Sequence, residues 1–160
     1  KHGPRPLLQS LVDATRIAAA EGSPLTAEQI EAEGRTSSSA RLDRTQPAVA
    51  AAVERAAALL GLDPLLTEPI QVVNYKVGQR YDIHNDWFSP DSPFYWDRIH
   101  ARGQRVVSVF CYLSSLPDAA GGCTYFPRLG LRFRPVQGQA VIWYNRNVAG
   151  DMDERVLHCG

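Results

Sequence analysis

Net charge is what this sequence lacks first: seventeen basic residues offset seventeen acidic ones among 160. A chain whose main partner is a nucleic-acid backbone or an anionic membrane surface normally carries a basic excess, so the balance argues against both. No apolar run approaches the roughly 18 residues of a membrane span, so none is visible. Cysteine is scarce. Cys111, Cys123 and Cys159 form an odd set without metal-type spacing, which indicates neither a disulfide scaffold nor a zinc ribbon. Lysine occurs only as Lys1 and Lys76, and histidine only as His2, His84, His100 and His158. The rest is ordinary: 44% hydrophobic and 21% charged residues supply one core and argue against wholesale disorder. The length fits a single domain spanning 1–160.

The hydrophobic period divides the chain. Leu7, Leu11, Ala14 and Ala18 recur at helical spacing with Gly22 as a stop, and Thr26 with Gln29 reads as a capping box opening a second helix. Residues 35–39 read as a polar loop. A third helix begins near Pro47, carries Val49, Val53, Ala56 and Leu60 on one face, and closes at Gly61. After Pro64 the period falls to two. Strands are expected over 70–75, 81–84, 106–113, 124–126, 131–133, 140–144 and 155–158, with a long loop over 87–103 and a turn at 118–122. Over 128–134 arginine alternates with apolar residues, the pattern of a half-buried strand with a charged outer face. Helices followed by short strands predict an α+β fold, with 1–63 as mainly helical support and 64–160 as an antiparallel barrel or sandwich.

His84-Asn85-Asp86 places an imidazole and a carboxylate on one side of a strand. With a second histidine from a distant strand they would make a two-histidine, one-carboxylate face, which covers three positions of an octahedral metal and leaves three open. Alone the motif is weak. Four histidines and ten aspartates produce it by chance in about one such chain in four.

The surroundings are more specific. The stretch 71–86 resembles the iron-binding segment of the prolyl 4-hydroxylase family of iron(II), 2-oxoglutarate-dependent dioxygenases. Arg35-Thr36-Ser37 resembles that family's R-T-S loop. Gly103-Gln104-Arg105-Val106 followed by Tyr112-Leu113-Ser114 resembles its central strand, and Gly121-Gly122-Cys123-Thr124-Tyr125-Phe126-Pro127 its G-G-x-T-x-F-P turn. Trp143-Tyr144-Asn145 resembles the strand end preceding the family's distal histidine, here His158. The likeness runs from about Arg35 to the end of the chain.

The resemblance implies a double-stranded β-helix, a jelly-roll or cupin-like barrel with N-terminal helices packed on one sheet. It implies iron(II) held by His84, Asp86 and His158, with 2-oxoglutarate and dioxygen as cosubstrates and ascorbate as reductant. The implied reaction hydroxylates C4 of a proline in a peptide or protein while 2-oxoglutarate becomes succinate. By the same likeness, Tyr75, Tyr112 and Thr124 line the cosubstrate pocket, and Tyr81 and Arg105 face the substrate proline. The aromatics Trp87, Phe88, Tyr95 and Trp96 offer surfaces on which an extended proline-rich peptide docks. The implied compartment is the endoplasmic reticulum for a eukaryotic chain of the collagen or plant type, and the cytoplasm for a bacterial one.

One departure stands out. The family's lysine, about ten residues past the distal histidine, pairs with the far carboxylate of 2-oxoglutarate, and no residue of this sequence matches it. The expectation is that the last strands of the barrel are missing from the chain. Two other readings stay open: an inactive relative that binds proline-rich peptides, and a zinc hydrolase using the same ligands. The hydrolase would need a general base, and no glutamate lies in the motif block.

Overall fold

The structure is a computed structural model and describes residues 34–160. The two helices expected around Leu7–Ala18 and Thr26 lie outside the described residues. The chain divides into two units, the first ending at Tyr81 and including 137–139, the second comprising 82–136 and 140–160.

In the first unit β1 (Ser38–Arg41) pairs antiparallel with β2 (Gln71–Asn74), Ser38 opposite Asn74 and Arg41 opposite Gln71. The polar segment read as a loop is therefore partly a strand. Its serines carry little hydrophobic signal, and the partner strand that satisfies their backbone lies far along the chain. Helix α1 (Pro47–Leu60) follows the sequence reading, with Pro47 in the first turn. Gly61, at φ +66°, turns its N–H back to the carbonyls of Ala57 and Ala58. The buried face is Val49, Ala52, Val53 and Ala57, while Ala56 and Leu60 are half-buried at its margin. Leu42 and Val49 form the core with Ala48, Ile70 and Val72.

The second unit holds two antiparallel pairs. Strand β3 (Val107–Cys111) pairs with β6 (Ala140–Tyr144), and β4 (Thr124–Phe126) with β5 (Leu131–Phe133). Alternation turns Ser108 and Phe110 inward opposite Trp143 and Val141. Phe126, Trp143 and Val156 make the core, flanked by Phe110, Phe133 and Val141. The arginines of 128–134 each have a partner: Arg128 reaches Glu154 at 3.1 Å, Arg134 reaches Asp118 at 3.0 Å, and Arg132 lies over the Tyr125 ring.

Three expectations are corrected. The segment read as a long loop contains α2 (Tyr95–Arg102), which carries His100 beside Trp96. None of its residues is fully buried; Tyr95 and Ile99, four apart, are half-buried, so it leaves almost no aliphatic trace in the sequence. The strand expected over 155–158 opens as a 3-10 turn (Glu154–Val156), because the Asp153 side chain accepts the Arg155 N–H and caps it. The strand expected over 81–84 is reduced to single bridges at Tyr81 and His84. No helix among the described residues is long and apolar enough to cross a membrane.

Candidate metal centre

Two elementary geometries assemble the site. Residues two apart on extended chain share a side, which groups His84 with Asp86. Directly opposed residues of an antiparallel bridge also share a side, and His84 is bridged to His158, each N–H donating to the other's carbonyl at 2.9 and 3.0 Å. The next residue, Cys159, bridges in the same way to Tyr125 of β4. His158-Cys159 thus behaves as a two-residue central strand between the H-x-D segment and β4.

His84, Asp86 and His158 each offer a ligand atom, and these atoms lie within 4.8 Å of one another. The Asp86 Oδ1 is 3.7 Å from Nε2 of His84 and 3.8 Å from Nε2 of His158. These gaps are too long for hydrogen bonds but within the span of two metal bonds of about 2.0–2.2 Å. The donor chemistry fits as well. Nδ1 of His84 lies 2.7 Å from the Asp82 carbonyl, and Nδ1 of His158 lies 2.9 Å from the Val156 carbonyl. A carbonyl only accepts, so both Nδ1 atoms carry a proton, and Nε2, the atom facing Asp86, is the one each ring would offer a metal.

His158 is buried against aromatic walls: Phe126 stacks on it at 5.3 Å and Trp143 meets it edge-on at 4.8 Å. The Asp153 cap supports the turn leading into it. Arg155 donates to both Asp153 oxygens, and this pairing pulls the Asp153 carboxyl down to about 2. A depressed pKa contributes stability above the ordinary value of 3.8 and loses it as pH falls through about 2. Asp153→Asn retains a capping oxygen but no charge. Urea unfolding of both proteins should show a stability gap that is constant from pH 7 to about 4 and closes between about 4 and 2.

Of the other residues singled out in the sequence, Tyr112 and Thr124 come together, both buried, with the two hydroxyls 2.7 Å apart and the Phe133 carbonyl 3.2 Å from the phenol. Burial raises the Tyr112 phenol above its ordinary value. Arg105 Nη1 donates to the Asp86 carbonyl at 3.2 Å, and its guanidinium lies 4.7 Å from the Phe88 ring centre. Gln104 clamps Phe88 further, accepting its N–H at 2.7 Å and donating to its carbonyl at 3.0 Å. Tyr75 and Tyr81 belong to the first unit; Tyr75 follows β2, and Tyr81 bridges to Arg35, whose guanidinium lies 5.1 Å from its ring centre. Sequence reasoning passed over Ser108, which donates to Asp86 Oδ2 at 2.5 Å, and quoted Asn145 only as part of a motif.

A family model described as the 2OG-Fe(II) oxygenase superfamily matches residues 70–159, and the chain belongs to that superfamily. Its relatives include prolyl 4-hydroxylase subunits. Human prolyl 4-hydroxylase subunit alpha-3 is 40% identical over 136 residues, and rat prolyl 4-hydroxylase subunit alpha-1 is 35% identical. The alignments cover 82% and 84% of this chain but only 24% and 25% of those proteins, so the chain spans about a quarter of their length. Among solved structures, the viral collagen prolyl hydroxylase of Paramecium Bursaria Chlorella virus-1, in its 2OG complex, shares the fold. It has a TM-score of 0.70 and 22% identity over 96% of this chain and 83% of its own. A Pseudomonas putida prolyl-4-hydroxylase gives 0.60 and 22%, over 98% and 79%.

Proposed function

We propose that this chain is an iron(II)- and 2-oxoglutarate-dependent dioxygenase domain that hydroxylates C4 of proline in peptides or proteins. The observation carrying this reading is the convergence of His84, Asp86 and His158, with both imidazoles locked in the metal-binding tautomer. The antiparallel pairs of the second unit are read as parts of a double-stranded β-helix, which the fold of the two hydroxylase structures supports.

When bound, iron(II) together with 2-oxoglutarate and dioxygen supplies the oxidising power for C–H hydroxylation, with succinate and carbon dioxide as co-products. The protein's own residues hold, orient and exclude water. His84, Asp86 and His158 are the ligands. Tyr112 and Thr124, already hydrogen-bonded to each other and both buried, present a hydroxyl pair for the cosubstrate carboxylate. Arg105, which binds the Asp86 backbone, is assigned to the substrate proline. Phe126 and Trp143 keep His158 out of water. Ascorbate is assigned as the reductant.

The test is carbon dioxide release from carboxyl-labelled 2-oxoglutarate with iron(II), ascorbate and a proline-rich peptide. Mass spectrometry would follow the gain of one oxygen on proline. Peptide-stimulated release with hydroxyproline formed is the expected result. A chain that binds iron(II) and the peptide yet releases nothing above background would be the inactive relative instead.

A further inference from the structure

Beyond the three ligands, Asp86 has one side-chain partner whose geometry constrains it. Ser108 lies on the inward face of β3, and its hydroxyl donates to Asp86 Oδ2 at 2.5 Å. The same hydroxyl oxygen accepts an N–H from Asn145 Nδ2 at 3.1 Å. Asn145 is fully buried at 0% exposure, and its backbone is fixed on both sides. Its N–H donates to the Val106 carbonyl, and its carbonyl accepts from the Asp153 N–H, both at 2.9 Å.

The direction of this chain follows from counting protons. A serine hydroxyl has one, and an ionised carboxylate can only accept. Because the Asn145 amide supplies the hydrogen that Ser108 accepts, the serine proton is committed to Asp86. That leaves Oδ2 occupied and Oδ1 as the oxygen facing both Nε2 atoms.

We propose that Ser108, aligned by Asn145, is a positioning residue that restricts Asp86 to a single oxygen toward the metal. The inference rests on the reading of His84, Asp86 and His158 as iron ligands. A carboxylate without this tether is able to turn and offer both oxygens, which would consume one of the positions that the cosubstrate and dioxygen require. The inner position of Ser108 on a paired strand gives the tether its rigidity.

The test uses Co(II) as a probe, titrated into the full chain under anaerobic conditions and read by its visible absorption band and dissociation constant. Ser108→Val and Ser108→Thr are nearly isosteric and differ in the hydroxyl. Ser108→Val should bind Co(II) about 10- to 100-fold more weakly, with an altered band shape, whereas Ser108→Thr should stay near the parent in both. Asn145→Ala should shift the band in the same direction in the parent and add nothing in the Ser108→Val background. Equal behaviour of the Val and Thr variants, impaired or not, would overturn the hydroxyl's role. Asp86→Ala separates the two levels of argument. If it loses Co(II) while Ser108→Val matches the parent, the tether is wrong and the metal site stands. If it binds Co(II) as the parent does, the metal-site reading falls and the tether with it.

Discussion

Asp86→Ala is expected to reduce iron-dependent 2-oxoglutarate turnover to background while leaving the fold in place. Asp86 is half-buried and is not one of the apolar residues that form the core of Phe126, Trp143 and Val156, so its truncation removes no member of that core. What it removes is the only carboxylate among the three proposed ligands, the one negative charge they would set against a divalent ion. Outer partners of metal ligands typically cost 10- to 100-fold when removed, and loss of a ligand itself should exceed about 100-fold. The check is turnover at saturating iron(II), with circular dichroism confirming the fold. Undiminished hydroxylation by a fully metal-loaded variant would mean that Asp86 is not a ligand.

Phe126→Ala should give the largest loss of stability in the second unit. The ring is 2% exposed and sits among three others: Trp143 at 5.3 Å, Phe133 at 5.9 Å and His158 at 5.3 Å. Deleting a buried phenylalanine side chain costs about 3–5 kcal/mol, a large share of the ~5–15 kcal/mol that holds a domain together. Phe126→Leu retains apolar volume and should lose less than half as much. All three tryptophans (Trp87, Trp96, Trp143) lie in the second unit, so tryptophan fluorescence during urea unfolding reports on that unit. A loss under about 1 kcal/mol for the alanine variant would show that the aromatic cluster is not the unit's core. Because Phe126 also walls His158, weaker metal binding should accompany the loss even where the variant remains folded.

The sequence made the candidate ligands, and their convergence, legible because their chemistry is rare and their spacing is tied to backbone period. His84 and Asp86 announce a shared side by being two apart, and His158 was conspicuous among only four histidines. Strands β3 to β6 and helix α1 were legible for the usual reason, a clean period of two or of 3.6. Elements held mainly by backbone hydrogen bonds escaped. β1 is built of small polar residues whose partner is distant, and the short α2 buries no side chain fully. The Asp153 cap turned an apparent strand into a 3-10 turn through one side-chain oxygen, a choice that hydrophobic pattern does not record. Ser108 escaped for a different reason: a serine in a strand looks inert until the register places Trp143 opposite it and Asp86 within reach.

The bridge between His84 and His158 would also give a metal bound at the proposed site a part in the chain's folding equilibrium. It joins the opening of the second unit to its far end, closing a loop that contains all four of the strands described in that unit. In the unfolded chain the two imidazoles are strangers, and bringing them together carries the entropic cost of closing that loop. An ion that needs both therefore selects the closed loop and draws the population toward it by mass action. At a hundred times its dissociation constant, that bias is about 2.7 kcal/mol. If His84, Asp86 and His158 hold an ion as proposed, that ion would also act as a reversible clasp on the unit, and its withdrawal would loosen the structure that gathers the three side chains.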